Sequence, residues 1–263
     1  QLGWYLDTFY DLVASSEELS QIFAIPQEPV GLSGQAPPDG SVRFRNVELA
    51  GSRFDFAIDS GEQAVVAAEP GVENQIALLL KRHVNPDRGL LTIGGSDLGS
   101  FDMYLLRSEV VVLNRPTIVD VTIREYLTMA AGGNADSAII MKVLDVVGLA
   151  TRVSSLSRSL DTRLASSGSP LSIVEVMQLK VAAALISRPK VLLLSQLYDM
   201  MPAGALHATL RMLRERGTTV LLFTGRPEAT DLDSFLWLGT QTQRRFEDKA
   251  ALSQFLAGKE IQS

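Results

Sequence analysis

A chain of 263 residues, 46% of them hydrophobic, can build a large domain with its own core and is too apolar for disorder. Its net charge of −6 argues against a nucleic-acid partner bound by phosphate neutralisation. With no cysteine it can form neither disulfides nor thiolate metal sites. With only His83 and His207 it offers no histidine triad and no metal centre, and both read as ordinary helical surface residues.

The chain opens at Gln1 without an initiator Met or a signal-peptide pattern, and this reads as a domain excised from a longer protein. No apolar run approaches the roughly 18–20 residues of a membrane span. Residues 1–25 carry apolar positions at helical spacing, among them Tyr5, Leu6, Phe9, Leu12 and Val13. They read as a helix, either docked on the domain's own surface or forming the end or elbow of a transmembrane helix, with Trp4, Tyr5 and Tyr10 as interfacial aromatics. Residues 26–41 hold much of the proline and read as an extended linker.

Two short strands are expected next, at Val42–Leu49 and Phe54–Ile58, followed by a buried strand at Ala64–Ala68. A turn at Glu69-Pro70-Gly71 leads into a helix reaching about Arg82, and further strands fall at Leu90–Ile93 and Val110–Leu113. The middle is helical, at Thr122–Met129, Asp136–Val147 and Leu171–Ser187. Strand and helix then alternate through Val191–Leu194, Ala203–Arg214, Thr219–Phe223, Phe235–Leu238 and Lys249–Leu256, with a tail at 258–263. Fully apolar strands alternating with helices imply an α/β fold with a mostly parallel sheet covered on both faces.

Several segments, in fixed order, tighten this reading. They include Asn85-Pro86-Asp87-Arg88-Gly89, Val121-Thr122-Ile123-Arg124-Glu125-Tyr126, Leu160-Asp161-Thr162, Leu171-Ser172 and Arg188-Pro189-Lys190-Val191-Leu192-Leu193-Leu194. The ordered set, over about residues 42–257, resembles the nucleotide-binding domain of an exporter-type ABC transporter. The resemblance implies a RecA-like core with a helical subdomain at about 115–187, and Mg-ATP as the family's cofactor. It also implies two partners, a transmembrane domain upstream and another cassette, homo- or heteromeric, at the cytoplasmic face of a membrane.

The residues at the family's motif positions depart from its pattern. The phosphate-binding loop, G-x-x-x-x-G-K-[ST] in the family, reads Ala68-Glu69-Pro70-Gly71-Val72-Glu73-Asn74-Gln75-Ile76. Glu73 stands for the second Gly, Asn74 for the Lys and Gln75 for the Mg²⁺-binding hydroxyl, and Pro70 removes a backbone donor. Glu69 and Glu73 would set carboxylates beside the polyphosphate, each like-charge pair costing roughly 3 kcal/mol at about 5 Å and an effective dielectric near 20. Ser195 and Gln196 replace the Walker B Asp-Glu, Asn114 the glutamine of the glutamine loop, and Gly225 the switch histidine. No D-loop pattern is recognisable in Asp199-Met200-Met201-Pro202, and no adenine-stacking aromatic is evident near Leu49.

The signature motif reads Leu171-Ser172-Ile173-Val174-Glu175, with β-branched residues in place of the glycines that admit the γ-phosphate; Ser172 is retained as a helix cap. Glu69, Glu73 and Glu175 would disfavour head-to-tail pairing of two copies, while Ile76, Ile173 and Val174 would offer apolar contact area. The expected protein is therefore a catalytically inactive cassette with a structural or regulatory role and no catalytic residues. Alternatives are a weak or divergent ATPase powering export, and a non-hydrolytic module binding another small ligand.

Overall fold

A computed structural model describes residues 36–260. The helix expected at 1–25 and the first part of the linker lie outside them. The described chain falls into two compact units: one comprises Arg115–Ser187, the other the residues on either side of it.

In the larger unit, β1 (Val42–Leu49) and β2 (Ser52–Ile58) form an antiparallel hairpin. Inward Val42 and Phe44 alternate with outward Arg43 and Arg45, the period-two pattern of a strand with one wet face. Phe44 stacks on Phe56 with centroids 4.5 Å apart. After β3 (Gln63–Ala68) and helix α1 (Val72–Leu80), β4 (Arg88–Ile93) pairs with the other side of β1, and β5 (Ser96–Asp97) with β4. Gly89 sits where β4 passes a bulge in β1. Its φ is +86°, and an added Cβ would lie 2.2 Å from the Asn46 carbonyl oxygen, so only glycine fits. Helix α2 (Met103–Glu109), capped by Asp102, leads into β6 (Val110–Leu113).

The second unit is helical: α3 (Ile123–Ala130), α4 (Ser137–Val146), α5 (Ala150–Ser155) and α6 (Ile173–Ser187). Helix α6 packs on α3 and α4. It also buries two polar side chains, each with a partner: Gln178 donates to the Val147 carbonyl at 2.6 Å and Lys180 to that of Thr117 at 2.8 Å. Helix α3 begins with a reciprocal cap. Thr122 Oγ1 accepts from the Glu125 N–H at 3.1 Å, and Glu125 accepts from the Thr122 N–H at 2.7 Å.

Back in the larger unit come β7 (Val191–Leu194), α7 (Ala203–Glu215), β8 (Thr219–Phe223), β9 (Ser234–Leu238), β10 (Gln243–Phe246) and α8 (Lys249–Glu260). The main sheet runs β10-β9-β3-β8-β7-β6; all its pairs are parallel except β10 with β9. The α/β class with a mostly parallel main sheet is the fold expected from sequence. What differs is a second, antiparallel sheet in the order β2-β1-β4-β5, which shares one apolar core with α1 and the main sheet. Helix α8 extends to Glu260, so the segment expected as a tail from 258 begins inside it. Among the described residues no helix is long and apolar enough to cross a membrane.

The segment around Thr122 earns its place by capping. Replacing Thr122 with Ala removes the side-chain acceptor for Glu125 N–H and is expected to cost about 1 kcal/mol, read as a fall in urea midpoint at unchanged m-value. A change indistinguishable from zero would remove this account.

Candidate functional site

Strand β3 is apolar because both its edges and both its faces are buried. At its end the Glu69 N–H donates to the Leu238 carbonyl at 2.9 Å, and the Glu69 carbonyl accepts from the Val72 N–H at 3.1 Å. Pro70 and Gly71 occupy the corners, Gly71 at φ 86° and ψ −22°, so Glu69–Val72 has the form of a type II turn. A phosphate cradle needs successive backbone N–H groups aimed at one point. Here those of Glu69 and Val72 are committed to carbonyls, and Pro70 has none.

Beside this turn lies a cleft of about 430 Å³ lined by Ala68, Glu69, Pro70, Gly71, Glu73 and Asn74, with Gln196 and Thr224 opposite in chain order. Glu73, in the first turn of α1, accepts from the Gln196 N–H at 3.0 Å. Burial pushes its carboxyl above the ordinary range; the Gln196 hydrogen bond opposes that, and the field of Asp199 adds to it. None of the lining residues is Lys or Arg.

Glu69 behaves differently from expectation. Its carboxylate accepts from the Thr240 N–H at 2.9 Å and Oγ1 at 3.1 Å, and pairs with Lys259 at 3.0 Å. The Thr240 N–H and then Lys259 hold it below the usual carboxylate range. Lys259 also lies 3.8 Å from the centroid of the Trp237 ring. Its charge is therefore matched, and Glu73 alone remains without a counter-cation in the cleft.

Strand β7 ends at Ser195, whose N–H continues the ladder to the Leu113 carbonyl at 3.0 Å. Its side chain is fully buried and Oγ has no partner. Gln196 projects toward Gly225: a Cβ at 225 would meet Gln196 Nε2 at 2.5 Å. Asp199 accepts from Thr224 Oγ1 at 2.6 Å and from the Gly225 N–H at 2.9 Å, tying down the end of β8.

The remaining motif positions lie elsewhere. Asn74 is exposed at the cleft, whereas Gln75 and Ile76 do not line it. Ile76 is 0% exposed and belongs to the core, so it cannot supply the contact area expected of it. Asn114, at the end of β6, accepts from Lys81 Nζ at 3.3 Å.

In the helical unit Leu171 is buried and Ser172 caps α6, its Oγ accepting from the Glu175 N–H at 3.2 Å. Glu175 closes the reciprocal cap on the Ser172 N–H at 2.8 Å and pairs with Arg152 at 3.1 Å. It is not the unmatched charge expected there. Ile173 is 60% exposed and Val174 half-buried. Of the three acids expected to oppose self-pairing, Glu69 and Glu175 are thus matched by Lys259 and Arg152.

Sequence reasoning missed the partners Thr240, Lys259, Arg152 and Thr224, which no local pattern marks. Asp199 left one signal, as the lone acid between Ser195 and Pro202.

No family model matches the chain. It is similar to ABC transporter B family member 18 of Arabidopsis thaliana, 26% identical over 205 residues, 71% of this chain and 17% of that protein. It is 28% identical over 196 residues to the cyclolysin secretion/processing ATP-binding protein CyaB of Bordetella pertussis, covering 73% of this chain and 26% of the relative. A multidrug resistance ABC transporter ATP-binding and permease protein of Lactococcus lactis is 28% identical over 172 residues, 59% of this chain and 29% of its own. In fold, the chain matches a bacterial Atm1-family ABC exporter with ATP bound, at a TM-score of 0.75 and 20% identity, over 95% of this chain and 46% of that one. Its homologues are thus ABC exporter ATP-binding and permease proteins, and its fold is that of their cassette. The chain spans less than a third of the length of these curated relatives.

The raised Glu73 carboxyl gives a signed expectation. A group whose folded pKa exceeds its unfolded value destabilises the fold at pH above both, and the penalty fades as pH falls from the folded value toward the unfolded one. Glu73→Gln keeps an acceptor for the Gln196 N–H and removes the charge. It should stabilise the chain at pH 7 by a few tenths of a kcal/mol, the effect being small because solvent screens a half-exposed group. Denaturant titrations should show that gain shrinking toward pH 4. A loss at pH 7 would mean the carboxylate is stabilised there.

Proposed function

We propose that this chain is an ABC exporter cassette that does not hydrolyse ATP. It would act structurally or in regulation, docking on a transmembrane domain of its own protein and pairing with another cassette at the cytoplasmic face of a membrane. The relatives' printed names, ATP-binding and permease proteins, support the setting.

One observation carries the inactivity. The cleft beside the β3–α1 turn presents the uncompensated carboxylate of Glu73 and no basic side chain. A polyphosphate there would meet repulsion of roughly 3 kcal/mol per like-charge pair at about 5 Å and an effective dielectric near 20. Three further features support the reading. Ser195 has no carboxylate to hold Mg²⁺. The Gln196 amide cannot accept a proton from water. Gly225 has no side chain, and the space beside it is taken by Gln196.

The test is a thermal-shift series with Mg-ATP. A ligand at 100 times its Kd adds about 2.7 kcal/mol to stability, so millimolar Mg-ATP should leave the melting temperature unchanged. Asn74→Lys alone should restore neither binding nor hydrolysis, since groups that act as a unit are not recovered singly. Several degrees of stabilisation by ATP but not by sulfate would overturn the reading. Turnover in Asn74→Lys would show that the lysine was the one missing part.

A further inference from the structure

Helix α8 docks on the β9–β10 hairpin through one aromatic side chain. The Phe255 ring lies 5.1 Å from that of Trp237 on β9, at an interplanar angle of 70°, and 5.2 Å from that of Phe246 on β10. Leu252, one turn earlier in the helix, is fully buried. Arg244 adds its guanidinium, 4.9 Å from the Phe246 centroid and 5.5 Å from that of Phe255. Edge-on ring pairs and ring–cation contacts attract beyond the area they bury. The Trp237 ring also has its space kept open, because a Cβ at Gly239 would overlap it.

Lys259 stands four residues beyond Phe255, on the same face of α8. Its Nζ is 3.8 Å from the Trp237 centroid and 3.0 Å from Glu69 Oε1. Glu69 Oε2 accepts from the N–H and the hydroxyl of Thr240, in the β9–β10 connection. Of charged groups, Lys259 is the one whose field lowers the Glu69 carboxyl. Glu69 opens the turn after β3 and lines the cleft there, 190 positions from its cation.

From this juxtaposition we propose that α8 is a strap across the β3–α1 turn, which sets the charge of the cleft. Docked, it carries Lys259 to Glu69, and Glu73 alone is left unmatched. Undocked, it leaves two unmatched carboxylates at the cleft and loosens the turn that Glu69 begins. The ring seat is what holds the strap, since an exposed ion pair is weak by itself and is screened by salt. None of this depends on whether the cleft takes a nucleotide.

Carbon-13 spectra of the side-chain carboxyls of the full chain test the strap, with Glu69 assigned by its loss in Glu69→Gln. Lys259→Met keeps an apolar chain at Trp237 and removes the charge, so the Glu69 midpoint should rise toward that of an ordinary carboxyl. Phe255→Ala retains the lysine and removes the seat; the midpoint should rise there too, which an isolated surface pair does not predict. Lys259→Arg keeps the charge and the ring contact and should leave the midpoint low. The Val72 amide, which donates to the Glu69 carbonyl, should exchange with solvent severalfold faster in Lys259→Met and Phe255→Ala, with the Tyr126 amide of α3 unchanged.

A Glu69 midpoint unmoved by Phe255→Ala would overturn the proposal, because Lys259 would then reach Glu69 without the seat. Val72 exchange unchanged in both variants would overturn it as well. Should Phe255→Ala fail to fold, Phe255→Leu takes its place, with a smaller shift of the same sign expected and no shift counting against the strap.

Discussion

Strand β3 is hydrogen-bonded on both sides, to β8 and to β9, and that double ladder fixes everything at its end. With its register held at Val66 against Phe223 and Leu236, the chain can leave the sheet only beyond Ala68. The Glu69 N–H prolongs the β9 ladder by one bond, and Pro70-Gly71 then turns the chain sharply enough to begin α1 at Val72. Helix α1 is anchored by Val72, Ile76, Leu79 and Leu80 in the core, which leaves Glu73 to face the cleft. The position of the carboxylate left without a counter-cation in the cleft is thus a consequence of sheet pairing.

The residues that depart from the family's motifs are mostly integrated into the fold. Glu69 is held by Thr240 and Lys259, Asn114 by Lys81, and Glu175 by Ser172 and Arg152. Gly225 is held through Asp199. Buried or half-buried polar groups are costly when unpaired, and these have found partners within the chain. Gln75 and Ser195 are the exceptions, each with a buried side-chain oxygen that has no partner, while Glu73 accepts from the Gln196 N–H but lacks a counter-cation. That contrast separates positions with a structural role from positions that are merely tolerated.

Much of the fold was legible because apolar periodicity is local. Val42–Leu49, Val110–Leu113, Val191–Leu194 and Thr219–Phe223 have the bounds their composition suggests. The antiparallel sheet was not legible as a whole, since its central pairing, β1 with β4, joins strands separated by β2, β3 and α1. Strand β10 escaped notice because Gln243-Arg244-Arg245-Phe246 is a polar edge strand without the apolar alternation that marks a buried one. At the site, residue identities were legible and electrostatic states were not. Glu69 and Glu73 look alike in sequence, yet the Thr240 N–H and Lys259 lower the carboxyl of one while burial raises that of the other.

In this geometry the Gln196 amide occupies the space that a side chain at 225 would enter, so the two positions are sterically linked. A histidine at 225 would have to displace the amide, and the amide is the far end of a flexible, exposed side chain, so the displacement itself is cheap. What resists is the backbone: Asp199 holds the Thr224 hydroxyl and the Gly225 N–H together, fixing the direction in which residue 225 points. A histidine introduced there would have its Cβ against the Gln196 amide and 3.8 Å from the Asp199 carboxylate, with Glu73 bonded to the Gln196 N–H. Its imidazole would then find an amide and an acid where an oxygen-rich ligand would need a donor and a cation. In the reading proposed above, the obstacle to phosphate chemistry would be distributed over three segments, the turn after β3, the end of β7 and the end of β8.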